Sequence, residues 1–297
     1  MKINPKILFF TDFSENSSKA LIAAEEFRKL SLGTMHLVHF AEFSFQWDWV
    51  DTGIKEEYLN LEIEKQRQAN LEREMLEQIR DCEAKATGSI VKGDLKSSFN
   101  TAISLFKPDI LILGHTGKGK SSFLVGGFAS NVIGLAAIPI MLIKNAKKPL
   151  KVAGLVDTAE SVHGIIHSTF ELSNLFSAPA AIISLWRKSF SDFFNQTAYE
   201  KDMAPLLLSE FERRSIQEKM REKIQENLPA TFNPEIIIEI SEEKRLAFHL
   251  IKILDQKKVD LIVIQKHHKT FIEKFLVGSE TRRLVEFYPG DIFILPS

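Results

Sequence analysis

One order of elements runs twice along this chain, and that repetition limits its fold more than any other feature. Strand-length apolar runs alternate with longer segments of helical period. Residues 6–11 (KILFFT), 35–41 (MHLVHFA), 89–92, 109–113 (DILIL) and 138–143 (IPIMLI) read as strands. Residues 17–30, 54–86, 96–106 and 128–136 read as the helices between them, with Ser14 as a candidate N-cap. The second half repeats the series: strands at 150–156, 180–186, 234–240, 260–264 and 291–295, and helices from about 158 to 175, at 198–227, 244–254 and 281–287. Asp12 recurs as Asp157, an offset of 145, and residues 109–114 recur as 260–265, an offset of 151. Gly126 recurs as Gly278 and Ile140 as Ile292, both at 152. A slowly drifting offset is what two diverged copies with small loop insertions produce. Strands alternating with helices predict α/β folding, here as two tandem doubly wound parallel-sheet domains. The expected boundaries are 1–145 and 146–297, with the polar, proline-closed run 144–149 (KNAKKP) as linker.

Composition narrows the function classes. Of the 297 residues, 44% are hydrophobic and 26% charged, enough for a core in each half. A formal net charge of −1 provides no basic field for nucleic acid or an anionic membrane. The apolar run 7–10 is too short for a signal segment, and no stretch approaches the roughly 20 apolar residues of a membrane span. Cys82 is the single cysteine, so an intramolecular disulfide is excluded and a reducing, cytoplasmic setting is expected.

In an open parallel sheet, ligands bind outside the carboxyl ends of the strands. Asp12 follows the first strand, and Gly114, His115, Thr116 and Gly117 follow the fourth. Glycines there let a phosphate approach backbone amides, a following helix N-terminus adds a favourable dipole, and Lys118 and Lys120 add charge.

The run Thr11-Asp12-Phe13-Ser14-Glu15 after a buried strand, with LVHF at 37–40, resembles the start of a universal stress protein domain. Nucleotide-binding members of that family share G-x2-G-x9-G-(S/T) after the fourth strand. Gly114 and Gly117 match the first pair. Strict counting makes Gly127 the third glycine, with Phe128 in the hydroxyl position. The internal alignment instead selects Gly126, with Gly127 in that position, and is preferred because Pro139 and the last strand then fall in register. Either way the Ser/Thr is missing. In the second copy Gly278-Ser279 keeps the final pair, but Gln265, Lys266, His267 and His268 replace G-x2-G.

The resemblance implies ATP, with magnesium, or a related adenine nucleotide in the first domain. Asp12 would bond the adenine and Phe40 would line the base pocket. Gly114, Thr116, Gly117 and the turn Gly126, Gly127, Phe128, Ala129 and Ser130 would hold ribose and phosphates. The second-domain equivalents, Asp157, Gln265, His268, Gly278 and Ser279, are expected to be degenerate. The resemblance further implies last strands paired across a pseudo-twofold axis within the chain, an intramolecular pseudo-dimer, with a homodimer left open.

Other patterns compete. Residues 114–121 (GHTGKGKS) match the P-loop pattern, yet Gly126 and Gly127 fall within two turns of Lys120, where a P-loop needs a continuous helix; each costs about 1 kcal/mol relative to alanine. His163 and His167 have metal-binding spacing without an evident third ligand. Cys82 between Asp81 and Glu83 is disfavoured as a thiolate. Phe43, Phe45, Trp47 and Trp49 are expected to pack under the long charged helix rather than cap the site. That helix and its counterpart carry opposite charges at helical spacing, such as Glu62 with Lys65, Glu77 with Arg80, Asp81 with Lys85 and Glu210 with Arg214. No nucleophile–base pair or metal cluster is evident. Three readings follow: a nucleotide-responsive stress regulator, an interaction protein that binds no nucleotide, and, least favoured, a P-loop ATPase.

Overall fold

Each continuous apolar run forms a strand with both faces covered, as parallel sheets require. A computed structural model describes residues 4–41, 55–82, 86–115, 127–145, 147–156, 162–187, 210–241, 245–266 and 280–296. The chain divides into two units, Met1–Lys147 and Lys148–Ser297, two residues beyond the boundary expected from sequence.

In the first unit the order is β1 (Lys6–Phe10), α1 (Glu15–Ser31), β2 (Thr34–Ala41), α2 (Lys55–Asp81), β3 (Ala86–Lys92), α3 (Leu95–Phe106), β4 (Ile110–Gly114), α4 (Gly127–Leu135) and β5 (Ile140–Ile143). Its strands lie in the order β3-β2-β1-β4-β5, all parallel. The chain winds outward from β1 through β2 to β3, then returns to the other side of β1 for β4 and β5. The topological switch point therefore lies between β1 and β4.

The second unit contains β6 (Val152–Val156), α5 (Val162–Phe176), β7 (Ala180–Arg187), α6 (Glu210–Glu226), β8 (Glu235–Ser241), α7 (Leu246–Gln256), β9 (Leu261–Gln265), α8 (Glu280–Phe287) and β10 (Asp291–Leu295). Its parallel order, β8-β7-β6-β9-β10, is the same arrangement.

The registers carry the sequence offsets into three dimensions. Ile7 pairs with Met35 and Ile110, and Val152 with Ala180 and Leu261, which reproduces offsets of 145 and 151. One side-chain device recurs at the same places. The Lys6 amide donates to Asp109 Oδ2 at 2.8 Å, and the Asp109 amide returns a bond to the Lys6 carbonyl. In the second unit the Lys151 amide donates to Asp260 Oδ2 at 3.2 Å, and the Asp260 amide bonds the Lys151 carbonyl. Each aspartate satisfies a backbone donor at the strand entrance and locks β1 against β4, or β6 against β9.

The cores are apolar. Leu8, Phe9, Leu37, Leu111, Ile112 and Leu142 are fully buried in the first unit; Val152, Ala153, Ile182, Ile262 and Ile292 are in the second. A Cβ on Gly154 would lie 2.4 Å from Thr169 Oγ1, so that glycine lets α5 approach β6 closely. The Ser14 side chain caps α1 by accepting from the Ser17 amide at 3.1 Å, as its position suggests. The long charged helix ends at Asp81, earlier than expected, and the next strand starts at Ala86. Among the charge pairs expected from spacing, Glu210 and Arg214 meet at 3.6 Å; Glu62 and Lys85 have side chains outside the described set. No helix among the described residues is long and apolar enough to cross a membrane.

His36, half-buried on β2, has Nδ1 2.6 Å from Thr87 Oγ1 and Nε2 2.9 Å from Ser89 Oγ, and its ring stacks on Phe106. Burial disfavours the charged ring and brings its pKa down to about 4. The unfolded chain binds this proton more readily, so the stabilisation is complete above about pH 6.5 and is lost as pH falls toward 4. Discounted for the ring's partial exposure, it amounts to roughly 1–2 kcal/mol. Urea unfolding at pH 7 and pH 4.5 should show His36→Gln losing less stability than the unsubstituted chain by that amount; equal losses would refute the assignment.

Candidate functional site

The switch point holds a cavity of about 140 Å³ at the carboxyl ends of β1 and β4. Phe10, Thr11 and Asp12 come from the end of β1, His39 and Phe40 from β2, Leu113, Gly114 and His115 from the end of β4, and Phe128 and Ala129 from α4. Ser17 of α1 completes the lining. Its inner wall is aromatic. Phe10 meets Phe40 at 5.2 Å and Phe128 at 5.6 Å, both edge to face, and Phe40 meets Phe128 at 5.8 Å. Such geometry aligns positive ring edges with negative faces.

The turn after β1 is tightly bonded. The Thr11 amide continues the ladder to the Val38 carbonyl. Phe13 takes a left-handed backbone, φ 57°, unusual for a residue with a large side chain. Two side chains hold that turn. Thr11 Oγ1 accepts from the Phe13 amide at 3.1 Å, and Asp12 Oδ1 accepts from the Ser14 amide at 3.0 Å and the Ser14 hydroxyl at 2.6 Å. His39 Nδ1 lies 2.8 Å from the Thr11 carbonyl, which can only accept, so Nδ1 carries the proton. The His39 ring lies against Phe13, centroids 4.5 Å apart.

Gly114 has an ordinary backbone conformation, and a Cβ there would meet Ala20 Cβ at 3.5 Å and the Asn16 carbonyl at 3.6 Å, ordinary contacts. Packing among the described residues does not require a glycine here. Gly114 lines the cavity with backbone alone.

Of the residues singled out from sequence, Asp12, Phe40, Gly114, Phe128 and Ala129 line this one cavity. Gly127 and Ser130 belong to α4. Gly127 is the first residue of α4, one position before the helix start read from sequence. Thr116, Gly117, Lys118, Lys120 and Gly126 lie outside the described residues, as do Phe43, Phe45, Trp47 and Trp49. In the second unit Gln265 ends β9 and bonds the Pro296 carbonyl at 3.3 Å, while Asp157, His267, His268, Gly278 and Ser279 lie outside. Lys266, beside Gln265, is buried, and desolvation lowers its pKa.

The other candidates have plain structural settings. His163 and His167 stack one turn apart, His167 lies 3.3 Å from Glu171, and no cluster of three metal-ligating side chains occurs among the described residues. Cys82 is buried, and desolvation together with Glu25 and Asp81 pushes its thiol up to about 11. Sequence reasoning missed Phe10, Thr11, Ser17, His39 and Leu113 as cavity residues. Alternation along β2 could have placed His39 near the first strand's end; the contribution of Ser17 depends on where α1 packs.

No protein of curated function matches the chain. Among solved structures, a universal stress protein from Archaeoglobus fulgidus DSM 4304 superposes with TM-score 0.69 at 14% identity, covering 100% of this chain and 99% of that one. A protein of unknown function from Pseudomonas aeruginosa PAO1 superposes with TM-score 0.63 at 12% identity, covering 98% and 92%. At such identities these likenesses establish the fold of the whole chain. The profile of the universal stress protein family matches residues 4–144, the segment that builds the cavity. Residues 4–144 are thereby similar to a universal stress protein domain.

Proposed function

We propose that the first unit binds an adenine nucleotide, ATP or a relative, and that the protein is a cytoplasmic, nucleotide-responsive regulator rather than an enzyme. The observation that carries this reading is the ring-sized cavity with aromatic walls and a carboxylate at the switch point. An apolar cavity of about 150 Å³ holds a benzene ring, so this space suits part of a base and not a whole nucleotide, whose sites run to roughly 300–1,000 Å³. Asp12 can only accept hydrogen bonds when ionised, and a carboxylate has about four acceptor sites, enough for Ser14 and a ligand N–H. An adenine amino group meets that requirement. A carboxylate in the lining also repels phosphates, so the base rather than the phosphates is the part expected beside Asp12. Bulkier Gln265 and Lys266 at the matching place argue for one site per chain.

The alternative reading, a protein that acts through its surfaces, draws support from Phe128. It packs on Phe10 and Phe40 where one counting of the family motif has a hydroxyl. Calorimetry of the full chain with ATP, with and without magnesium, separates the readings. The expected result is one saturable site, weakened about tenfold by Asp12→Ala, as loss of a charge-assisted hydrogen bond would do, and nearly unaffected by Lys120→Ala. Neither heat nor thermal shift would favour the interaction protein. Magnesium-dependent turnover abolished by Lys120→Ala would favour a P-loop ATPase.

A further inference from the structure

The polar network behind the cavity ends on a residue remote from it in sequence. Thr11 is buried, and its hydroxyl has one donor and two acceptor positions. The proton goes to Gln78 Oε1, 2.8 Å away on α2. The oxygen accepts from the Ser17 hydroxyl at 2.9 Å and from the Phe13 amide at 3.1 Å. The hydroxyl is therefore saturated by protein and acts as a hub. Gln78 is itself buried, and its Nε2 reaches Ser18 Oγ at 3.4 Å. Among the described residues, the acceptor on Gln78 orients the Thr11 proton away from the turn. With the hydroxyl so oriented, its lone pairs face Phe13 and Ser17 and hold the left-handed residue that follows Asp12.

We propose that Gln78 is a positioning residue for the ligand site: through the Thr11 hydroxyl it sets the Asp12 turn, and so couples α2 to ligand binding. The proposal rests on the nucleotide reading for its functional consequence, though the positioning itself is independent of any ligand. An apolar residue of similar length at 78 leaves the Thr11 proton without its buried acceptor, and the hydroxyl must turn to find another. The Phe13 amide then loses its partner, and the turn is left to the Asp12–Ser14 bonds alone. Glutamate restores an acceptor oxygen, and both the Thr11 and Ser18 hydroxyls can donate to it. By linkage, a ligand that needs the Asp12 turn also tightens α2 against the sheet.

The test uses the full chain with Gln78→Met and Gln78→Glu, and two readouts. Amide hydrogen exchange without ligand should show Phe13 and Ser14 exchanging about tenfold faster in Gln78→Met, with Leu37 in the core unchanged and Gln78→Glu near the unsubstituted rate. Calorimetry with ATP should show about tenfold weaker binding for Gln78→Met and recovery to within about threefold for Gln78→Glu, the size expected from one buried hydrogen bond. Unchanged exchange at Phe13 and Ser14, or equal acceleration at Leu37, overturns the proposal whether or not ATP binds. Equal weakening by Met and Glu also overturns it. If the unsubstituted chain binds no ATP, the nucleotide reading fails, and the exchange arm still decides the role of Gln78.

Discussion

Replacing Glu25 with alanine is expected to destabilise the first unit by about 3–5 kcal/mol. Glu25 and Arg28 lie one turn apart on α1, with side chains only 10% and 7% exposed. The guanidinium grips the carboxylate with two parallel bonds, Nε to Oε2 at 2.7 Å and Nη2 to Oε1 at 2.6 Å. Taking both charges out of water was costly, and the fork offsets that cost only while both partners remain. Removing one leaves a buried cation with its principal counter-charge gone, and this, rather than the worth of the pair, sets the magnitude. Exchanging both residues for apolar ones of similar volume should therefore cost far less. Urea unfolding of the full chain, following its least stable transition, measures the loss; a change below about 1 kcal/mol would mean the pair is solvated. Cys82 provides a second signal. Glu25 is one of the charges that raise its thiol, so Glu25→Ala should both lower the thiol pKa from about 11 and expose the sulfur more often. Faster alkylation of this single cysteine is the expected result.

A side chain at Gly114 should have the largest effect on binding. Gly114→Gln, which copies the residue that ends β9, is expected to weaken ATP binding by about a hundredfold, because atoms beyond its Cβ compete with the ligand for the cavity that Gly114 lines, on the scale of the roughly 1–3 kcal/mol that overpacking costs. Folding should survive. The backbone at Gly114 needs no positive φ, and the first added carbon meets only ordinary contacts. Gly114→Ala should even stabilise the chain by about 0.4–1 kcal/mol, because alanine narrows the unfolded ensemble. Higher thermal stability combined with weaker ATP binding is the pattern expected of a glycine retained for its ligand. A Gly114→Gln chain that binds ATP normally would place the ligand elsewhere.

Legibility differed sharply between elements. β10 was read to the residue, because Asp291–Leu295 is an apolar run closed on both sides by turn residues. The strand 260–264 was read almost as well, and Asp260 proved to be the backbone clamp rather than part of the strand. The charged helix before β3 was read too long, since its solvent-facing residues give helical period no clear stop; the structure ends it at Asp81 and begins β3 at Ala86. At the site, Asp12 and Gly114 were legible as residues at strand ends. Thr11 was not, because a hydroxyl at the end of an apolar run looks like a turn residue until its three partners are seen. Gln78 was less legible still, in a helix full of polar side chains where nothing local marks the buried one.

Local chemistry was sufficient for the repeated order of elements, the parallel pairing it implies, and the strand ends where a ligand could bind. These depend on periodicity and on residues within a few positions of one another, and amino-acid order records both. Closure of the aromatic wall by Phe10, Phe40 and Phe128, the Glu25–Arg28 fork shielded from water, and the bond that Thr11 donates across 67 residues to Gln78 were settled only by packing. A buried polar group is stable only where its partner happens to be delivered, and which helix face delivers it depends on how the whole layer settles on the sheet.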